Sequence, residues 1–258
     1  MENSNTFNWC GCTWKSQMDG GRIIHPTYPW YWYSSSDNVL KRDKNDMLEL
    51  FIKKNPKDVK HWDGNIYHPT YEVATIRSVE DFGYGTFSCK MMMPTGKNIS
   101  ASFWLSGSGN WPPEIDIEEG FLEGDKGWFR WTENYFPYLK PSWRTTTNVH
   151  FRDDNMNKTH IGSRNISYFK QSKDPSENWI EYKCTWKPNS ITFYANDKVV
   201  RTVTGKECKQ LTQNIKDPEK GWKVNVIFNV WLQGDPDKLQ PDMVHPMLIK
   251  EFVYKPLQ

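Results

Sequence analysis

Short runs with the pattern of β-strands recur along most of this chain, and they limit its fold more than any other feature. Such runs cover residues 47–52, 71–77, 100–105, 146–151, 179–186, 191–195, 199–203, 223–231 and 248–254. Several alternate apolar and polar residues, and turn-forming residues separate them, as at 187–190 and 196–198. Many short strands with turns between them predict a single antiparallel sandwich or barrel.

One domain is the expected organisation. The 258 residues contain no linker-like stretch and no internal repeat, and all-β sandwiches of this size commonly form one domain. We therefore predict a single domain over residues 1–258, with one short helix possible at 206–214. Residues 1–36 are rich in Trp, Tyr and Gly, and two prolines exclude a helix there. We expect an irregular N-terminal segment that wraps the domain or forms the wall of a cleft.

Charge, hydropathy and cysteine spacing argue against binding to nucleic acid, membranes and zinc. With 33 basic and 31 acidic residues, the chain has no electrostatic basis for binding nucleic acid or an anionic membrane. No apolar run approaches the length of a membrane span, and the first residues lack the features of a signal peptide. The five cysteines are an odd number, and no Cys or His spacing fits a zinc site. We expect a monomer without a metal in its functional site.

The aromatic content is high for so polar a chain. It contains 14 Trp, 12 Tyr and 13 Phe, although 25% of the residues are charged. Some of these rings must form the core. The number of tryptophans also indicates an exposed groove, because flat apolar rings suit the faces of sugars.

Four carboxylates lie within six consecutive residues near the middle of the chain. On a regular strand Glu114, Asp116 and Glu118 would share one face, with Ile115 and Ile117 packed into the core behind them. Carboxylates this close raise one another's pKa, which suits an enzyme that needs one ionised and one protonated carboxyl. A solvated acidic edge strand is the alternative, but the buried isoleucine face favours a site.

This stretch and its surroundings resemble glycoside hydrolase family 16, which includes endo-β-1,3- and β-1,3-1,4-glucanases, xyloglucan enzymes, agarases and carrageenases. Residues 114–118 match the Glu-x-Asp-x-Glu signature of the family, and residues 114–119 match its Glu-x-Asp-x-x-Glu variant. Residues 82–87, 93–94, 103–105 and 111–112 look like segments of the family and stand in its order. Further on, residues 179–186 followed by 191–198 resemble a strand pair of the family, and residues 227–231 resemble one of its cleft strands. The resemblance covers roughly residues 36–256.

The resemblance implies an all-β, concanavalin A-like jelly roll of two curved antiparallel sheets with an open cleft on the concave face. It implies endo-acting, retaining hydrolysis of a polysaccharide or oligosaccharide, with β-1,3- or mixed β-1,3-1,4-glucan as the expected substrate. The alternatives are a galactan of the agar, porphyran or carrageenan type, or a non-catalytic carbohydrate-binding protein on the same fold. We expect an extracellular or periplasmic protein that needs no organic cofactor, although a structural calcium ion would be common in this family.

The resemblance also assigns catalytic roles. Glu114 is expected to be the nucleophile, and Asp116 is expected to hydrogen-bond to it and tune its charge. The acid/base is Glu119 if a β-bulge inserts one residue, which we favour, or Glu118 if the strand is regular. A retaining pair lies about 5–5.5 Å apart. Because residues four apart on a straight strand are separated by roughly 13 Å, the strand must bend.

Six further residues are candidates for contact with the sugar. They are Trp104, Trp111, His150, Trp186, Asn229 and Trp231. Each has a structural alternative, since a tryptophan can belong to the core and a single histidine is often structural. Phe103 precedes Trp104, so we expect one of that pair in the core and the other in the cleft.

Overall fold

The computed structural model describes residues 6–16, 18, 22–25, 27–108, 111–121, 143–152, 158–161, 169–171, 174–205, 222–232 and 242–258. These ranges contain no helix, and so none that could cross a membrane. The possible short helix at 206–214 lies outside them.

The described ranges form 23 strands. The first twelve are β1 (Phe7–Trp9), β2 (Cys12–Lys15), β3 (Tyr31–Ser34), β4 (Leu40–Arg42), β5 (Leu48–Leu50), β6 (Ile52–Lys54), β7 (Val59–Lys60), β8 (Ile66–Tyr67), β9 (Tyr71–Ser78), β10 (Gly85–Met92), β11 (Thr95–Lys97) and β12 (Ile99–Gly107). The others are β13 (Glu114–Phe121), β14 (Trp143–Thr145), β15 (Asn148–Arg152), β16 (Lys158–Ile161), β17 (Phe169–Gln171), β18 (Ile180–Lys187), β19 (Ser190–Ala195), β20 (Lys198–Thr204), β21 (Val224–Leu232), β22 (Asp242–His245) and β23 (Met247–Pro256).

Two large sheets make up the architecture. A ten-stranded sheet has the order β1-β2-β9-β21-β12-β13-β15-β16, with β3 and β6 also paired to β9. A seven-stranded sheet has the order β20-β19-β18-β10-β23-β5-β4. The pairs within both sheets are antiparallel except for β3 with β9. The predicted all-β jelly-roll sandwich is confirmed.

The N-terminal segment is more regular than predicted. It contains β1, β2 and β3, so the expectation of an irregular segment over residues 1–36 was wrong for these parts. The turn between β1 and β2 places Cys10 and Gly11 at positive φ, as a two-residue hairpin turn requires. β3 then pairs in parallel with the first half of β9 and continues the ten-stranded sheet.

Aromatic rings from the two sheets meet in the core between them. Phe103 on β12 stacks on Phe228 of β21 at 4.7 Å between ring centroids, and Phe228 contacts Phe252 of β23 at 6.0 Å. All three are buried. Because Phe103 points into this core, its neighbour Trp104 points to the opposite face of the sheet. That face carries the candidate site.

The two sheets differ in what covers their outer faces. Along β10 and β18 buried residues alternate with more exposed ones, as in a sheet with one face in water. Along β12 and β21 nearly every residue is buried. At these strands the face of the ten-stranded sheet that points away from the core is therefore also shielded from solvent, although it carries polar side chains.

Candidate active site

A β-bulge in β13 determines which carboxylates share a face. β12 pairs with β13 so that Phe103 lies opposite Glu118, while Trp104 lies opposite Asp116. Ile117 is the extra residue between them. The bulge shifts the alternation by one position, so that Glu119 lies opposite Ser102 on the same face as Trp104.

Glu114, Asp116 and Glu119 consequently line one groove of about 600 Å³ on the ten-stranded sheet. Glu118 instead faces the core side beside Phe103 and is 1% exposed. Ile115 and Ile117 are buried, as predicted. The strand has the bulged form that the Glu119 alternative requires, and Glu118 is not among the residues that line the groove. The acid/base role of Glu119 itself stays a prediction.

Two side chains hold the carboxylate of Glu114. The indole Nε1 of Trp111 donates a hydrogen bond to its Oε2 at 2.6 Å. His150 Nε2 lies 3.1 Å from its Oε1 and 3.5 Å from Oδ2 of Asp116. β15 positions His150 directly opposite Glu114 in the sheet register, so the contact follows from strand pairing. The rings of Trp111 and His150 also contact each other at 5.8 Å between centroids, and Asn148 Nδ2 lies 3.0 Å from His150 Nε2. The contact of Trp111 and His150 with sugar stays a prediction.

Burial raises the pKa of Glu114, Asp116 and Glu119. For Glu114 and Glu119, the negative charge of Asp116 raises the pKa further, while His150 lowers it. The Trp111 hydrogen bond additionally lowers the pKa of Glu114. The pKa of each glutamate rises to about 8, so the cluster retains a proton near neutral pH, as a pair with one ionised and one protonated carboxyl requires.

Three other predicted residues lie where the cleft was expected. Trp104, Asn229 and Trp231 line the groove. The indole of Trp104 donates to Oδ1 of Asn229 at 2.8 Å, and that of Trp231 donates to Oγ of Ser102 at 3.3 Å. These bonds fix the rings on the floor of the groove. Phe103 lies in the core, so the expected division between Phe103 and Trp104 is confirmed.

Trp186 does not belong to the groove. It lies on β18 of the seven-stranded sheet, is 0% exposed and packs its ring against Tyr84 at 4.7 Å. A side chain without exposed surface on the opposite sheet cannot contact a sugar in the groove. The predicted substrate-binding role of Trp186 was wrong, because its apolar surroundings place it in the core.

Sequence reasoning named none of the lining residues contributed by the N-terminal segment. These are Met18, Arg22, His25, Tyr28, Tyr31 and Tyr33. The aromatic richness of residues 1–36 was the available signal, and the alternative that this segment forms the wall of a cleft was right. Which of its rings face the groove depends on the parallel pairing of β3 with β9, which no local pattern indicates.

Among the described residues, one set of side chains is spaced closely enough to hold a metal ion. It consists of Glu114, Asp116 and His150, whose ligand atoms lie within 4.8 Å of one another. Calcium prefers six to eight oxygen ligands, so this set with an imidazole does not fit calcium. The structural calcium ion stays a prediction, for which these residues offer no support.

Comparison with known proteins identifies the family. The family model described as "Glycosyl hydrolases family 16" matches residues 27–245, which is most of the chain. The chain therefore belongs to glycosyl hydrolase family 16, as the motif analysis predicted, and is a glycosidase with a carbohydrate substrate. Comparison with curated protein sequences gives no significant match.

Solved structures share the fold at low sequence identity. The catalytic domain of an endo-1,3-β-glucanase (laminarinase) from Thermotoga petrophila is 17% identical with a TM-score of 0.63, over 100% of this chain and 96% of the other. A LamA variant from Z. galactanivorans in complex with laminaritriose and laminaritetraose is 16% identical with a TM-score of 0.63, over 94% and 92%. The κ-carrageenase from Pseudoalteromonas carrageenovora is 12% identical with a TM-score of 0.57, over 92% and 86%.

Proposed function

We propose that this protein is an endo-acting, retaining β-glycan hydrolase that cleaves β-1,3- or mixed β-1,3-1,4-glucan. The observation that carries the proposal is the bulge in β13, which brings Glu114, Asp116 and Glu119 to one groove in a chain of this family. The laminarinases among the structural neighbours support a β-glucan.

The mechanism is a double displacement. The Glu114 carboxylate attacks the anomeric carbon, and the glycosidic C–O bond breaks as Glu119 gives its proton to the leaving oxygen. Glu119, now ionised, takes a proton from water, and the water oxygen attacks the same carbon and releases Glu114. Asp116 lies between Glu114 and Glu119, and it is ionised or protonated according to the charges of these two glutamates.

The charge of the groove favours a neutral polysaccharide. Its described lining contains three carboxyl groups, whereas Arg22 is its only permanently positive side chain. Burial, together with the charge of Arg22, lowers the pKa of His25, so that this imidazole is neutral near pH 7. A sulfated galactan would find one permanent cation there to pair with its sulfate groups, whereas a glucan needs none.

The decisive test is hydrolysis of a panel containing laminarin, mixed-linkage β-glucan, agarose and κ-carrageenan. We expect new reducing ends from the first two, a rapid fall in viscosity that marks internal cleavage, and an initial product with the β-anomer, seen by NMR. A Glu114→Gln preparation purified in parallel controls for contaminating enzymes. Cleavage of galactans alone would overturn the glucan assignment. Binding without cleavage would support the carbohydrate-binding alternative instead.

A further inference from the structure

The hairpin formed by β7 and β8 presents the most exposed tryptophan among the described residues. Trp62 lies at its tip and is 78% exposed. The groove and core described above do not use it. Single exposed apolar residues are common on protein surfaces, so exposure alone would carry no conclusion. Two further features distinguish Trp62 from other exposed residues: the position of its hairpin and the hydrogen bonds that order the tip.

The tip is a closed turn rather than a loose loop. The backbone N–H of His61 donates to the carbonyl of Asn65 at 2.9 Å, and that of Gly64 donates to the carbonyl of His61 at 3.0 Å. Gly64 has a φ of 89°, which favours glycine. Asp63 accepts hydrogen bonds from Asn65 N and from Tyr67 Oη at 2.8 and 3.0 Å.

One side of the Trp62 ring is supported. Its centroid lies 4.8 Å from that of His61, whose own side chain is buried. The indole is thereby held in place while most of its surface faces solvent. A ring ordered in advance loses little conformational freedom when it binds a ligand.

The base of the hairpin packs directly behind the groove wall. Val59 and Tyr67 form a small apolar cluster with Ile24 and Trp32 of the N-terminal segment. Ile24 precedes His25, which lines the groove. The hairpin therefore adjoins the part of the chain that carries His25 into the groove lining.

Aromatic rings connect the interior of the groove to His25. Tyr33 contacts Tyr31 at 5.8 Å, Tyr31 stacks on Tyr28 at 6.3 Å, and Tyr28 contacts His25 at 5.3 Å between centroids. His61 and Trp62 lie on the hairpin whose base packs against Ile24, the residue before His25. A row of rings that leads toward an exposed ring outside a glycan groove suits a chain longer than the groove.

We propose that Trp62 forms a distal sugar-binding platform on which an extended β-glycan chain stacks after it leaves the groove beside His25. This inference rests on the proposed function, because it assigns that site a polymeric substrate. It makes Trp62 important for long chains and dispensable for short oligosaccharides that fill only the centre of the groove.

The test measures binding in Glu114→Gln protein, so that the glycan is not degraded. Affinity electrophoresis in gels containing laminarin or mixed-linkage β-glucan compares this parent with the same protein carrying Trp62→Ala, Trp62→Phe or Val199→Ala. Val199 is the matched control, because it is 58% exposed on the seven-stranded sheet. Covering roughly 50 Å² of apolar ring corresponds to a five- to tenfold change in affinity, so we expect Trp62→Ala to weaken retardation by about that factor.

Trp62→Phe should retain part of the affinity, and Val199→Ala should match the parent. The melting temperature reports whether each variant is folded. Equal retardation of parent and Trp62→Ala overturns this inference and leaves the proposed function intact. A parent that no glycan of the panel retards overturns both. In active protein, Trp62→Ala should lower kcat/KM on polymer relative to kcat/KM on a trisaccharide, and an unchanged ratio would also contradict the platform.

Discussion

Buried carboxyls at two places on the ten-stranded sheet have pKa values that are shifted in opposite directions. Glu72 on β9 is 1% exposed, yet it accepts hydrogen bonds from Ser36 Oγ, Asn38 Nδ2 and Asn55 Nδ2 at 2.5, 2.7 and 2.8 Å. Burial raises its pKa, but these neutral donors lower it by more, so the net shift is downward. Glu72 is an ionised carboxylate that ties a loop to the sheet.

The groove carboxyls lack such a shell of neutral donors among the described residues. Burial and mutual repulsion raise the pKa of Glu114 and Glu119, and only His150 and Trp111 oppose this rise. The comparison shows that burial alone does not identify a reactive carboxyl. The balance between donors and neighbouring negative charges does so. The variants below test this contrast, from the largest expected effect to the smallest.

The largest effect is expected from Glu114→Gln. The amide cannot attack the anomeric carbon, so kcat should fall by at least about 10³-fold. The melting temperature should stay the same or rise, because repulsion with Asp116 is removed. Initial rates of reducing-end release and thermal unfolding measure the two quantities. Retained activity would show that Glu114 is not the nucleophile.

The second largest effect is expected from Glu119→Gln, and Glu118→Gln is its matched control. Loss of the proton donor should lower kcat on natural glycan by about 10²–10⁴-fold, and an aryl glycoside with an activated leaving group should recover most of the loss. Glu118→Gln should leave the rate within a few fold, since that side chain faces the core. The reverse pattern would mean that the active strand is not bulged.

Glu72→Ala tests the structural member of the comparison. It leaves buried donors without their acceptor, so the free energy of unfolding should fall by about 2–4 kcal/mol. Glu72→Gln should cost less because the amide oxygen still accepts. Denaturant unfolding gives these values, and kcat of the folded fraction should be unchanged. A specific loss of kcat would place Glu72 among the functional carboxyls.

Trp111→Phe separates two roles of one ring. Phenylalanine keeps an apolar face but removes the N–H that donates to Glu114. A hydrogen bond to a charged group contributes about 1.5–3 kcal/mol, so kcat should fall about ten- to hundredfold, with little change in KM. A higher KM at unchanged kcat would show that the ring acts by sugar stacking alone.

The smallest effect is on the pH dependence of stability, and the two groups should differ in sign. The groove carboxyls have raised pKa values in the folded state, so their contribution to stability is lost as pH rises above about 4 through those raised values. Asp116→Asn should flatten this decline. The pKa of Glu72 is lowered, so its contribution is lost as pH falls below its ordinary range. Melting temperatures between pH 3 and 9 measure both slopes, and equal signs would contradict the contrast.

Local patterns were sufficient for much of the fold. Alternation along residues 71–77, 191–195 and 199–203 predicted β9, β19 and β20 to within a few residues. The turn between β19 and β20 was also predictable, because Asn196 and Asp197 tolerate the positive φ that it requires. Trp186 shows the limit of such patterns. A tryptophan in an alternating strand is compatible with either face of either sheet.

The sequence by itself determined that this chain is an all-β glycosidase of family 16 with a dense acidic strand at residues 114–119. These properties follow from a period-two pattern and from residues adjacent in sequence. Tertiary structure decided that Glu119 rather than Glu118 enters the groove, and that the N-terminal rings form its wall. The reason is physical: a bulge forms only against a partner strand, and the β3–β9 pairing joins segments about 40 residues apart.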